Sequence, residues 1–315
     1  MKNKPLGFYP GCSGAGTSVE YDRSTRAVCM ALLLPLQDVP DWSCCGSTPA
    51  HTVDHALSTA LSMRNFAQAA EAGLSDLVTP CPSCLKNLRA SLVRWQDPEI
   101  GPKAEKLLGK KVVGEFSIKS VLQVLDEDVE PARIKNQLSM PLTDLRVVPY
   151  YGCLMSRPAK LMKFGDPENP MAMERLLTLA GATVLDFPLK VECCGASMGI
   201  PDLSTVTRLS GKLLELAVSM GADVIAAACP LCQMNLDMRQ KQINKANKTS
   251  YNLPVMYFTQ LLGLAFGLPR AELGLDKLMV DPSPVIAKIE APRNGAIQSA
   301  GATQTAPKTE TEGAA

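Results

Sequence analysis

Gly73-Leu74-Ser75-Asp76-Leu77-Val78-Thr79-Pro80-Cys81-Pro82-Ser83-Cys84 reads as a helix stop, a short buried strand and the mouth of a second helix. Further along, Gly221-Ala222-Asp223-Val224-Ile225-Ala226-Ala227-Ala228-Cys229-Pro230-Leu231-Cys232 repeats that order, with the glycine again eight residues ahead of its cysteine. Glycine supplies the left-handed residue that commonly ends a helix. The apolar runs at 75–79 and 222–227 suit buried strands. Each Cys-Pro-x-Cys pair then opens a helix, where the dipole and free N–H groups favour thiolates.

The repetition extends in both directions. Cys12, Cys44-Cys45-Gly46 and Cys81/Cys84 in the first half are answered by Cys153, Cys193-Cys194-Gly195 and Cys229/Cys232 in the second. The groups are separated by 31 and 35 residues in the first copy and by 39 and 34 in the second. Phe8-Tyr9-Pro10-Gly11-Cys12 is echoed by Tyr150-Tyr151-Gly152-Cys153. Runs at 5–10 and 146–151 predict two more strands, and helices are expected over 18–34, over 54–72 ending at Gly73, and over 203–220 ending at Gly221. Strands alternating with helices predict an α/β fold of two pseudo-repeated domains, each a small, mostly parallel sheet flanked by helices. The expected divisions are 1–97 for the first domain, 98–145 for a linker with some helix, 146–284 for the second domain and 285–315 for a disordered tail poor in large apolar groups. In this architecture the cysteine groups fall at strand ends and helix starts, where ligand-bearing loops commonly sit.

Thirty-two basic residues against 31 acidic ones give a formal charge of +1, which offers no basic field for nucleic acid. The start, MKNKPLGFYPGC, lacks the apolar core of a secretory leader. Runs such as Met30–Leu36 and Leu261–Leu268 fall far short of the roughly 20 residues that cross a bilayer. A cytoplasmic protein without a membrane span of its own is expected. Eleven cysteines then require another role, since an odd count in a large chain without an export signal fits a disulfide framework poorly. With only two histidines, His51 and His55, the ligands for any metal must be mostly sulfur.

Five thiols per repeat exceed the four that satisfy a structural zinc ion and the four that typically hold an ordinary iron–sulfur cluster. On a single zinc, one sulfur would be left without a coordination position and costly to bury. A polynuclear iron–sulfur centre can use the surplus, because neighbouring thiolates in a turn reach different irons. Gly46 and Gly195 would let the backbone approach such a centre closely.

At these residues the sequence resembles the CCG, or cysteine-rich, domain proteins, and most closely the family of the heterodisulfide reductase B subunit. Tyr9-Pro10-Gly11-Cys12, Asp41-Trp42-Ser43-Cys44-Cys45-Gly46, Glu192-Cys193-Cys194-Gly195-Ala196-Ser197, Asn235-Leu236-Asp237-Met238-Arg239 and Tyr257-Phe258-Thr259-Gln260-Leu261-Leu262-Gly263 carry the likeness, which runs from about residue 5 to residue 270. The resemblance implies a noncubane [4Fe-4S] cluster held by Cys12, Cys44, Cys45, Cys81 and Cys84, and another held by Cys153, Cys193, Cys194, Cys229 and Cys232. It implies part of an oxidoreductase complex acting on sulfur groups, in which a disulfide is cleaved or reversibly formed between the clusters without a protein nucleophile or base. It further implies two partners, a ferredoxin-like C subunit and a flavin-containing A subunit. No Gly-x-Gly-x-x-Gly fingerprint marks a flavin or NAD site in this chain. CCG domains also resemble parts of succinate, glycerol-3-phosphate and lactate or glycolate oxidoreductases. That leaves open an electron-transfer or quinone-linked subunit, with zinc at one site.

Other residues read more plainly. Cys29 is expected as a small buried residue of the helix over 18–34. His51 and His55 mark an exposed helix start, with proton or hydrogen-bond donation near the first site as the alternative. Arg157 and Lys190 read as solvated charges flanking the second site, where they could draw an anionic substrate. Met171, Met173 and Met220 read as core filler, and Trp42 as a shield beside Cys44.

Overall fold

The computed structural model describes residues 5–47 and 49–291. Strands β1 (Leu6–Phe8), β2 (Leu36–Asp38), β3 (Asp76–Thr79) and β4 (Ser117–Ser120) form one sheet in the order β2-β1-β3-β4. Strands β5 (Arg146–Tyr150), β6 (Thr183–Val184), β7 (Val224–Ala227) and β8 (Val255–Tyr257) form a second sheet in the matching order β6-β5-β7-β8. Every pairing is parallel, with Phe8 opposite Val78 in one sheet and Val148 opposite Ile225 in the other. All of β7 is buried, as a central parallel strand covered on both faces must be, which is why its sequence runs apolar without alternation. The expected α/β fold with two repeated parallel sheets is the observed one.

Local chemistry sets the element ends. The helix His55–Glu71 begins at Asp54, whose carboxylate accepts from the N–H groups of Ala56 at 2.6 Å and Leu57 at 3.3 Å. Its counterpart Leu203–Ser219 begins at Asp202, which accepts from Ser204 at 3.0 Å and Thr205 at 3.2 Å. Gly73 and Gly221 follow these helices at φ of +73° and +71°. The helix expected over 18–34 is shorter, Val19–Ala31, because Leu33 turns left-handed at φ +50°.

Two stretches differ from their expected roles. Residues 98–145 do contain helix, but they also supply β4, which pairs along its whole length with β3 and completes the first sheet. Its sequence, Ser117-Ile118-Lys119-Ser120, buries Ile118 and keeps a polar edge, so its strand signal is weak. Past residue 285 the chain stays ordered through the helix Ser283–Glu290, because Val285, Ile286 and Ile289 form one apolar stripe that is buried. The rest of the expected tail, from residue 292, lies outside the described residues.

Each half packs an apolar cluster of its own around its cysteines, and the two share a larger one, reciprocally. The helix Val19–Ala31 of the first half packs on Phe258–Ala265, which follows β8. The helix Ala172–Leu179 of the second packs on Val121–Gln123 and the π-helical turn Val124–Asp128, which follow β4. Such an exchange is what a two-fold relation between repeats produces. Tyr21 and Tyr257 stack across the boundary with centroids 4.0 Å apart and planes within 8°. The Ser24 and Thr259 hydroxyls meet beside them at 2.7 Å, and Arg175 donates to Asp126 at 2.8 Å on the reciprocal side. Because Tyr21 is fully packed at this joint, Tyr21→Ala should destabilise the protein by about 3–5 kcal/mol. A urea titration reads this as one earlier, still cooperative transition, whereas a loss below about 1 kcal/mol would show that the stack does not join the halves.

Candidate functional site

All ten cysteines singled out in the sequence lie at the carboxyl ends of strands. In the first half, Cys12 follows β1, Cys44 and Cys45 follow β2, and Cys81 and Cys84 follow β3. The second half repeats this with Cys153 after β5, Cys193 and Cys194 after β6, and Cys229 and Cys232 after β7. In an open parallel sheet with this strand order, the carboxyl edge between the first and third strands is the switch point, where chain connections diverge and leave a crevice. Cys45 Sγ lies 3.4 Å from Cys84 Sγ, and Cys194 Sγ lies 3.6 Å from Cys232 Sγ. Cys12 is hydrogen-bonded to Cys44, and Cys153 to Cys193, in the same relation. Among the described residues, no three Cys, His, Asp or Glu side chains close on one point as a mononuclear metal site would. The first set runs as a chain of neighbouring sulfurs, from Cys12 to Cys44, Cys45 and Cys84. Cys29 stands apart in the core, its thiol pushed up to about 12 by burial.

Each set is held by the same three supports, to none of which the sequence alone assigns a role. The Tyr9 hydroxyl donates to the carbonyl of Ser43 at 2.6 Å, and the Tyr150 hydroxyl to that of Glu192 at 2.8 Å, fixing the residue before each Cys-Cys pair. Ser62 Oγ donates to the Cys45 carbonyl at 2.7 Å, as Ser210 Oγ does to that of Cys194 at 2.8 Å. Asn87 Nδ2 reaches the Cys45 carbonyl at 2.5 Å, and Asn235 Nδ2 the Cys194 carbonyl at 3.4 Å. The asparagines were within reach of a sequence reading, since each stands three residues after the last cysteine of its set. Gly11 and Gly152, both at φ +69°, bring the backbone against the sulfurs. A Cβ would sit 3.0 Å from Cys84 Sγ at the first and 2.6 Å from Cys232 Sγ at the second.

Crowding five thiols makes them share protons. Hydrogen bonds from Cys12 and Cys45 pull the Cys44 thiol down to about 2, while Cys45 is pushed up to about 12, chiefly by its bond to Cys44. In the second half, the bond from Cys153 lowers Cys193 to about 6. Cys84 and Cys232 are held protonated, by hydrogen bonds to neighbouring sulfurs and by burial. A bound cation set would release these protons, because a coordinated thiol is deprotonated outright. The donor set therefore fits a polynuclear, thiophilic centre. Cys12, Cys44 and Cys193 are solvent-exposed while the Cys-Pro-x-Cys thiols are buried, so each set opens on one side.

The remaining flagged residues divide. His51 and His55 meet edge to face at 4.9 Å, and burial lowers the basicity of His51, with Lys86 and Arg94 adding to it. Trp42 packs edge-on against Tyr9 at 5.7 Å. Arg157 pairs with Glu168, as an exposed charge would. Lys190 is no surface charge. Its side chain is only 6% exposed and donates to Glu174 at 2.7 Å, and Glu174 also accepts from the Tyr151 hydroxyl. The Lys190 carbonyl accepts from Tyr151 N at 2.9 Å and Gly152 N at 3.1 Å, so this buried group braces the loop before Cys153. Of the three methionines, Met173 is core, Met220 is partly buried, and Met171 is 43% exposed with its sulfur 3.4 Å from Lys190 Nζ.

Comparison with known proteins agrees with this duplicated arrangement. Residues 6–89 and 147–237 both match the cysteine-rich domain, CCG. The chain is 33% identical to the 8-methylmenaquinol:fumarate reductase membrane anchor subunit of Wolinella succinogenes, over 88% of this chain and 98% of that one. It is 30% identical to the B subunit of the ferredoxin:CoB-CoM heterodisulfide reductase of Methanosarcina mazei, over 90% of this chain and 96% of that one. A hypothetical protein from Helicobacter pylori, of known crystal structure, shares the fold with a TM-score of 0.69 at 15% identity. The match takes in 88% of this chain but 52% of that longer one. Among the described residues no helix is long and apolar enough to cross a membrane. With the domain matched in both halves and a heterodisulfide reductase relative matched over nearly its whole length, the chain belongs to the cysteine-rich CCG domain family that includes the heterodisulfide reductase B subunit.

Proposed function

We propose that the chain is the iron–sulfur catalytic subunit of a heterodisulfide-reductase-like complex, in which a disulfide is cleaved or reversibly formed between two noncubane [4Fe-4S] clusters. The observation that carries this reading is the pair of equivalent five-thiol sets, Cys12/Cys44/Cys45/Cys81/Cys84 and Cys153/Cys193/Cys194/Cys229/Cys232, each at a sheet switch point and open on one side. When bound, the clusters would supply one-electron chemistry and iron sites for sulfur. The chain's own part is to hold the thiolates, keep water from the buried Cys-Pro-x-Cys side and leave the exposed side free for a disulfide or thiol substrate. Tyr9, Ser62 and Asn87, with Tyr150, Ser210 and Asn235, hold the Cys-Cys turns in place before loading, which lowers the ordering cost of binding. Electrons would come from partner proteins, a ferredoxin-like C subunit and a flavin-containing A subunit.

The relation to a menaquinol:fumarate reductase subunit favours one second reading. In it the chain passes electrons within a quinone-linked complex, takes no sulfur substrate and carries zinc in one of the two sets.

Anaerobic purification with iron, zinc and sulfide analysis separates these readings, followed by EPR of the oxidised protein with and without an added thiol. The proposal predicts about eight irons per chain, four for each cubane-sized centre, and a paramagnetic signal altered by the thiol. Four irons with one zinc and no thiol effect would establish the second reading, and zinc alone would end both. Gly152→Ala places a methyl group against Cys232 Sγ on a left-handed residue. That variant should lose roughly half of the iron, those of one cluster of two, while the first half stays loaded. Full iron retention would show that the second set yields to the added methyl group, so that Gly152 is not needed to bring the backbone against Cys232.

A further inference from the structure

The Tyr, Ser and Asn supports of the two sites match except behind the asparagine. In the first half, the Ser58 hydroxyl donates to the Gly46 carbonyl at 2.9 Å and lies against the Asn87 amide, whose Nδ2 reaches the Cys45 carbonyl at 2.5 Å and is shared between Ser58 and Ser62 at 3.1 Å. In the second half Val206, which lies against Gly195 as Ser58 lies against Gly46, has no hydroxyl to offer. Its place is taken by Arg239, whose Nε donates to Asn235 Oδ1 at 3.0 Å. A guanidinium can only donate, so Asn235 must turn its oxygen towards Arg239 and its NH2 towards the cysteines. Asn235 Nδ2 accordingly lies 3.4 Å from the Cys194 carbonyl and 3.8 Å from Cys194 Sγ. Arg239 is itself anchored, with Nη2 on the Gly199 carbonyl at 3.0 Å and Nη1 on Gln242 at 3.2 Å. The corresponding position in the first half, four residues after Asn87, is the buried Ser91.

We propose that Arg239, acting through Asn235, is a positioning residue that aims an N–H at the Cys194 sulfur and sets the reduction potential of the second-half centre above that of the first. This inference rests on the iron–sulfur reading given above. Reduction adds negative charge, part of which resides on the sulfur ligands. An N–H donor at a ligand sulfur and a cation behind it stabilise the reduced form more than the oxidised one. Both effects have the same sign. Backbone N–H groups reach Cys44 and Cys193 alike, so what sets the halves apart among the described residues is the asparagine amide at Cys194 and the arginine behind it. An electron delivered to the chain settles first on the second half, and the first half is the stronger reductant of the pair.

The test uses the whole chain with its clusters, after metal analysis confirms iron in both sets. A chain without iron fails the reading beneath the inference, and the inference with it. In an EPR-monitored redox titration, Arg239→Met should lower the higher of the two midpoints by roughly the equivalent of a tenfold change in reduced fraction, about 59 mV for a one-electron couple. The lower midpoint should stay fixed, and Arg239→Lys should restore much of the shift. Full iron with neither midpoint moved overturns the proposal. A second measurement needs no variant and decides the matter if the Arg239→Met protein fails to load. Protein labelled with 15N-asparagine is poised so that only the higher-potential centre is reduced, and pulsed EPR then reads nitrogen hyperfine coupling. A coupling on that centre supports the proposal, and a coupling absent there or found only on the lower-potential centre overturns it.

Discussion

Too many sulfurs in too little space is the constraint on which everything else turns. Parallel strands deliver all their loops to one edge, and here each edge receives five thiols. Left to themselves these thiols cannot all ionise. They share protons: hydrogen bonds from neighbouring thiols lower Cys44 and Cys193, while bonds to neighbouring sulfurs and burial raise Cys84 and Cys232. Positive charge must enter for the full set to become ligands. The Tyr and Ser supports and Asn87 hold carbonyl groups and leave the sulfurs to whatever supplies that charge, while Asn235 also reaches the Cys194 sulfur.

The repeat was legible because its signals are local and strong. Glycine stops at 73 and 221, the Cys-Pro-x-Cys helix starts and the apolar run of β7 each specify their own conformation within a few residues. The edge strands were not legible. β2 (Leu-Gln-Asp), β4 (Ser-Ile-Lys-Ser) and β6 (Thr-Val) are short and half-polar, and only their central neighbours make them strands. The fourth edge, β8 (Val-Met-Tyr), is buried and apolar but only three residues long, too short to stand out as a strand. The helix Ser283–Glu290 went unread for a related reason. Three apolar residues beside an Ala/Thr/Pro-rich stretch look like part of it until a core is there to receive them. Lys190 was misread because sequence cannot show that Glu174 and Tyr151, one on a helix and the other at a strand end, converge on it.

Repetition also made the differences informative. Ser62 and Ser210 do the same work, as do Tyr9 and Tyr150. The buried Lys190–Glu174 pair belongs to the second half and braces the loop before Cys153. The His51–His55 contact belongs to the first, beside the turn after Cys45. A buried ion pair is weak evidence of added stability, and breaking one would leave a charge stranded in the core. Its presence on one side only therefore marks a loop whose position matters more there than at its counterpart.

The reciprocal packing also decides what each half can do alone. Here Tyr21 of one copy stacks on Tyr257 of the other and donates to the carbonyl of Ala228, the residue before Cys229. Neither half closes the shared cluster without the other, although each keeps a smaller cluster around its own cysteines. A change at the joint in one half is felt in the other, whereas the chemistry around each cysteine set can differ where the halves do not touch.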